Sequence, residues 1–199
     1  YMVDKTLSKV CDGKTPSEIL DISVADIACG SGIFLEEAFA YLQDYCVQWY
    51  ICNGQTDHLI ETGIDLYKLP LQEKKDILCS CIYGIDIDIH AVEVAKFSLL
   101  IKLIEDETAP SVSEVVPILP DLGDNIQFGN SLVSQTELNG ISGANHQMME
   151  IAPFDWSTIN NGCGFDVIIG NPPYVNTEGM HALLPSAEVE VYKKKYKTS

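Results

Sequence analysis

Ser23-Val24-Ala25-Asp26-Ile27-Ala28-Cys29-Gly30-Ser31-Gly32 is the stretch that decides the fold. It opens with a short apolar run, the pattern of a strand buried on both faces. The run ends in glycines, and from Gly32 the period changes. Leu35, Ala38, Leu42, Tyr45, Cys46 and Trp49 then recur at three- to four-residue spacing, which predicts a helix stopped by Asn53-Gly54. The glycines between strand and helix let the backbone turn tightly and approach a ligand with no Cβ in the way.

Outward from this unit the alternation continues. Residues 1–10 read as an amphipathic helix, followed by a turn at Asp12-Gly13-Lys14-Thr15-Pro16. Residues 55–70 read as irregular, with at most a short helical turn. A helix over Leu71–Leu78 leads into a second strand, Cys81–Asp86, and a third helix runs from Ile89 to Ile104 with Val92, Ala95, Leu99 and Leu103 on one face. Pro110, Pro117 and Pro120 mark a long connection. Ile126-Gln127-Phe128 is a third strand. Residues 134–162 are polar and rich in Gly and Asn, apart from the island Pro153-Phe154-Asp155-Trp156, and Phe165–Gly170 is a fourth strand. Strands alternating with helices predict an α/β, Rossmann-like, parallel doubly wound sheet with ligands at the strand carboxyl ends.

No run of 18 or more apolar residues is present, so nothing in the sequence reads as a bilayer span. The seven cysteines are odd in number and lack Cys-x-x-Cys spacing, and the four histidines show no ligand spacing. Both observations argue against a disulfide framework or a metal site and for reduced, cytosolic thiols. The formal charge of −17 is awkward for a polyanion-binding protein, and only Lys193-Lys194-Lys195 with Lys197 is locally basic.

Four motifs carry chemistry. Asp26-Ile27-Ala28-Cys29-Gly30-Ser31-Gly32 resembles the nucleotide-binding loop of class I S-adenosylmethionine methyltransferases, with Ile27 where that loop often has proline. Asp26, Ala28, Gly30 and Gly32 are its candidate cofactor residues. A nicotinamide fingerprint would want a third glycine where Leu35 stands. In Gly84-Ile85-Asp86-Ile87-Asp88, a carboxylate at a strand end accepts from ribose hydroxyls. That role falls to Asp86, with Ile87 packing on the adenine and Asp88 capping the next helix. Gly32 and Asp86 stand much further apart than the ~20 residues of a minimal dinucleotide unit, which predicts an insertion between them. In Gly129-Asn130-Ser131-Leu132, the Asn130 amide is a candidate for the cofactor's adenine edge, although Gly-Asn is also a plain turn pair.

The fourth motif is Asn171-Pro172-Pro173-Tyr174, directly after the fourth strand. An amine on an aromatic ring is a poor nucleophile because its lone pair is delocalised. The Asn171 side-chain oxygen and the Pro172 carbonyl can accept its two N–H groups, pulling the nitrogen toward tetrahedral geometry. Tyr174 offers a face on which an extruded base can stack.

Phe165-Asp166-Val167-Ile168-Ile169-Gly170-Asn171-Pro172-Pro173-Tyr174-Val175 resembles the catalytic segment of N6-adenine DNA methyltransferases of restriction–modification systems. It is most similar to the group in which methylase and nuclease share one polypeptide, where Pro153-Phe154-Asp155-Trp156 is also familiar. The motif order resembles the γ-type, with target recognition C-terminal to the catalytic part. This resemblance implies S-adenosylmethionine as cofactor and Asn171, Pro172 and Tyr174 as catalytic residues. It also implies in-line transfer to a flipped base, since adenine N6 is inaccessible within a duplex. Residues 1–199 are then a partial catalytic domain, truncated after the catalytic motif, in a bacterial cytoplasmic protein. Double-stranded DNA would be gripped by a recognition region beyond the chain, which accounts for the acidity, and a nuclease is a possible fused domain. The Thr-Pro motif usual before the first helix is missing, as are three of the usual seven strands, so weak or no activity is expected of this chain alone. Two other readings stand beside it: an N-methyltransferase acting on a protein glutamine side chain or ribosomal RNA, and a non-catalytic relic.

Overall fold

The computed structural model describes residues 1–108, 115–172 and 184–195. Helix α1 (Met2–Cys11) buries Val3, Leu7 and Cys11. A short helix, α2 (Pro16–Ile19), follows, held by a capping box in which Thr15 and Glu18 satisfy each other's backbone N–H. Strand β1 (Val24–Asp26) is buried throughout and leads into α3 (Ile33–Cys52), which buries Leu35, Ala38, Phe39, Leu42 and Cys46. Strands β2 (Ile60–Gly63) and β3 (Leu66–Lys68) form an antiparallel hairpin where irregular chain is expected. Its residues are mostly exposed, so no buried stripe marks them in the sequence. Helix α4 (Leu71–Cys81) runs further than expected and passes directly into β4 (Ile82–Asp86).

Helix α5 (Ile89–Ile104) buries Val92, Ala95, Leu99 and Leu103, the face its periodicity predicts, and Asp88 caps it by accepting from His90 N–H at 2.9 Å. Just beyond α5, the buried Glu107 carboxylate takes Lys74 at 2.7 Å and Lys68 at 3.1 Å, pinning α4 and the hairpin to this turn. Strand β5 (Ile126–Phe128) follows. Residues 134–162 hold helices α6 (Gln135–Leu138) and α7 (Ala144–Ile151), where the sequence reads as a polar loop, either lid or connection. Strand β6 (Val167–Ile169) and helix α8 (Ser186–Lys195) complete the described elements.

The sheet is parallel, in the order β5-β4-β1-β6. Alternation along the strands sorts side chains to its two faces. Val24, Ile82, Ile126, Val167 and Ile169 join the core built by α1, α3, α4 and α5. Ala25, Tyr83 and Ile85 turn to the other face, where Phe154, Ile159 and Phe165 cover them. The Pro153–Trp156 island is thus a lid on the second face of the sheet, with Trp156 edge-on to Phe154 and Phe165. A third cluster joins α8 to α6 and α7 through Ala187, Val191, Leu138, Ile141 and Ile151. No helix among the described residues is long and apolar enough to cross a membrane.

Candidate active site at the strand carboxyl ends

Register brings the sequence-predicted residues together. Asp26 pairs with Gly84 on one side and Ile169 on the other, and Asp86 pairs with Phe128. Because all four strands run the same way, Asp26 and Asp86, which end their strands, and Asn130 and Asn171, which follow theirs, all lie on one edge of the sheet.

The turn after β1 is built on the two glycines. Gly30 and Gly32 have φ of 53° and 90°, in the left-handed region that glycine enters without strain. Gly32 also sits against α5, where an added Cβ would lie 3.1 Å from the Ala95 Cβ. The turn is held from neighbouring strands. Cys29 N–H donates to the Ile85 carbonyl at 3.0 Å, and Gly30 N–H donates to Asp86 Oδ2 at 2.7 Å. The other Asp86 oxygen accepts from Asp88 N–H at 2.9 Å. Ile87 beside it is 51% exposed and presents an apolar surface at this edge. Burial pushes the Cys29 thiol up to about 12, so it packs as an inert hydrophobe rather than a nucleophile.

Asp26 is 1% exposed. Its Oδ1 accepts from Ala28 N–H at 3.0 Å, while Oδ2 is buried with no partner among the described residues. Burial raises its pKa to about 6, against the opposing Ala28 N–H and with the nearby Asp86 charge adding to the rise. A buried acceptor without a donor costs roughly 1–3 kcal/mol, and such groups concentrate where a ligand completes them.

Gly170 and Asp166 were not singled out by sequence reasoning, and the structure gives each a role. A Cβ at Gly170 would lie 2.7 Å from Asp26 Oδ1, so only glycine lets the chain leave β6 against that carboxylate. At the other end of β6, Asp166 Oδ2 accepts from Ser23 N–H and from Ser23 Oγ, both at 2.8 Å. This latch sets β6 beside β1. Asn171 and Pro172 then emerge, exposed, immediately after Gly170. Tyr174 and Pro173 lie outside the described residues.

Asn130 is placed differently from expectation. It is buried, its Nδ2 donates to Glu188 Oε1 at 2.7 Å, and its Oδ1 accepts from Leu132 N–H at 3.1 Å. The amide that sequence reasoning aims at an adenine edge is turned into the protein. The loop it belongs to does reach the Asp26–Gly32 turn, because Ser131 Oγ donates to the Ile27 carbonyl at 2.7 Å. The basic cluster Lys193–Lys195 forms the last turn of α8, where cations suit the helix dipole, and Lys194 and Lys195 pair with Glu190 and Glu137.

A parallel sheet with a glycine turn after its central strand, an acidic end on the next strand and Asn-Pro after the fourth defines a Rossmann-like methyltransferase fold. The chain belongs to the Eco57I restriction-modification methylase family, whose model matches residues 80–199. It is 43% identical over 198 residues to the type II restriction enzyme and methyltransferase RM.Eco57I of Escherichia coli, covering 100% of this chain and 19% of that protein. It is 34% identical over 122 residues to a putative type II restriction enzyme and methyltransferase of Methanocaldococcus jannaschii, covering 61% of this chain and 9% of that protein. The chain therefore spans about a fifth or less of the length of these relatives.

Proposed function

We propose that this chain carries the cofactor-binding and catalytic part of an enzyme that methylates adenine N6 in double-stranded DNA, with S-adenosylmethionine as donor. The observation that supports this most is the junction of β1 and β6: Asn171-Pro172 leave the sheet beside a buried carboxylate whose Oδ2 lacks a donor among the described residues.

The residues present fit the cofactor. Asp26 Oδ2 is an acceptor in want of a cationic donor, such as the ammonium of an amino-acid moiety. The Gly30–Gly32 turn brings backbone, not side chain, to the same edge, and Ala28 is small enough not to obstruct it. Asp86 uses each oxygen once, and a carboxylate has about four lone-pair sites, so it retains capacity for both ribose hydroxyls. Ile87 offers an apolar face for adenine. With its amide spent on Glu188 and Leu132, Asn130 contributes by fixing the Gly129–Leu132 loop at the adenine end. Bound here, S-adenosylmethionine supplies a sulfonium methyl group for direct in-line transfer.

The protein's own part is positioning. The Asn171 oxygen and the Pro172 carbonyl accept the two N–H groups of the flipped base's amine, which localises its lone pair, and Tyr174 stacks on the ring. The relatives' names pair restriction and methyl transfer in one protein, which supports a parent polypeptide with nuclease and target-recognition parts outside residues 1–199. The charge of −17 favours one rival, a protein glutamine substrate.

Radiolabelled S-adenosylmethionine offered to the full-length parent with unmethylated genomic DNA separates these readings. Label recovered as N6-methyladenine, and lost in Asn171→Ala, is the expected result. Label entering protein or RNA but not DNA would replace it with the rival reading.

A further inference from the structure

The described residues that follow the Asn-Pro-Pro-Tyr motif form α8, whose buried Ala187 and Val191 join the cluster of α6 and α7. Helix α8 packs on α6, α7 and Val133, and it reaches the loop after β5 through the buried pair Glu188–Asn130 and, at the surface, through Lys195 Nζ, which donates to the Leu132 carbonyl at 3.1 Å. Glu188 is 2% exposed and Asn130 is 5% exposed, so the contact is shielded from water. Glu188 Oε1 takes two donors: Asn130 Nδ2 at 2.7 Å and, one helical turn on, Tyr192 Oη–H at 2.6 Å. The carboxylate is therefore held in one orientation from its own helix while it fixes the Asn130 amide.

From Asn130 the contacts run on without a gap. Its Oδ1 shapes the loop by accepting from Leu132 N–H, Gly129 N–H donates to the Asp86 carbonyl at 2.9 Å, and Ser131 Oγ donates to the Ile27 carbonyl. Ile27 lies inside the Asp26–Gly32 turn. One helix on the far side of the catalytic motif is thereby joined to both strand ends that the proposed function gives to the cofactor.

We propose that Glu188 is a positioning residue that couples cofactor occupancy to engagement of the substrate, acting through Asn130. This rests on the function proposed above. A buried carboxylate that holds a neutral amide is a costly way to build a helix contact, because an apolar pair of the same shape packs as well. It does give the Asn130 loop a single defined state. Ordering of that loop by a ligand at Asp86 and Ile27 then favours one placement of α8, and thermodynamic linkage requires the effect to run both ways.

The test measures duplex affinity of the full-length parent by fluorescence anisotropy, with and without the non-reactive product S-adenosylhomocysteine, beside steady-state methylation. Wild type is expected to bind duplex at least about fivefold tighter with the product present. Glu188→Leu is expected to lose most of that enhancement and about tenfold in kcat, while its KM for the cofactor stays within about threefold. Glu188→Gln keeps an oxygen acceptor for both donors and is expected to retain the enhancement and the rate. Tyr192→Phe removes one of the two donors and falls between, and it decides the matter if Glu188→Leu does not fold. An enhancement equal to wild type in the deciding variant, or none in wild type, overturns the coupling. Absence of methyl transfer to DNA by wild type instead removes the proposed function, and the affinity ratio is read independently of turnover.

Discussion

Gly170 and Asp26 touch so closely that a β-carbon on Gly170 would stand 2.7 Å from the Asp26 carboxylate. The residue before Asn171-Pro172 and the first acidic residue of the Asp26–Gly32 turn therefore share one small volume. Distance in sequence conceals this, since each motif reads as a self-contained loop. The contact places the two motifs side by side, and it sets the first prediction.

Gly170→Ala is expected to destabilise the fold by about 2 kcal/mol, because the new methyl group meets a short, buried side chain already held by Ala28 N–H. Displacing Asp26 should also weaken cofactor binding. Thermal unfolding and calorimetric titration read the two effects, and a variant unchanged in both would show that the junction has slack.

Asp26→Asn should stabilise the cofactor-free protein and impair cofactor binding. With its pKa raised to about 6, folded Asp26 binds its proton more tightly than the unfolded chain does. Its contribution is thus fully present at low pH and is lost as pH rises from about 4 to 6. The amide has no such loss, so at pH 7 it should be more stable by roughly 1–2 kcal/mol, a gain bought with function. Cofactor affinity in the native protein should rise through about pH 6 as the carboxylate ionises. Melts and titrations at pH 5 and 7.5 test both signs, and parallel pH profiles for native and variant would refute the assignment.

Asp166 makes the opposite case. Hydrogen bonds from Ser23 hold its carboxyl below the usual range, so its stabilisation is present at neutral pH and disappears as pH falls through the depressed folded value. Asp166→Ala should cost about 1 kcal/mol at pH 7, a figure kept small by partial exposure to solvent, and much less near pH 3. Chemical denaturation at the two pH values makes the comparison.

Residues 1–199 expressed alone should show weak or no methyl transfer and a tendency to self-associate. Strand β6 is an edge of the described sheet, and Ile168 on it is 60% exposed. Light scattering and the labelled-methyl assay give the answer, and efficient turnover by a monodisperse sample would contradict it.

How far the sequence revealed this structure depended on burial. Strands β1, β4, β5 and β6 and helices α3 and α5 were legible because each is apolar on a regular period, and Val92, Ala95, Leu99 and Leu103 are buried as that period requires. The β2–β3 hairpin was not, because exposed strands leave no stripe. Helices α6 and α7 are short and lie in polar sequence, yet one local signal was present: Ser134 and Glu137 form a capping box at the start of α6. In the candidate site, the glycine turn and Asp86 could be singled out because local geometry constrains their residue types. Gly170, Ser131 and Glu188 could not, because what each does depends on a partner from another part of the chain. Asn130 was singled out for its place after β5, and what its amide binds was decided by α8.

The latch between Ser23 and Asp166 spans 143 positions, and it holds β1, an inner strand, against β6 at the edge of the described sheet. In biosynthetic terms, β1 leaves the ribosome well before its second neighbour exists. Until then one flank of β1 is open, and Asp26 lacks the wall that Gly170 provides. Closing so long a loop is slow, and it exposes an unpaired strand for as long as it takes. The buried carboxylate of Asp26 therefore acquires its full surroundings only in the same event that delivers Asn171, so the two ends of the candidate site are completed together.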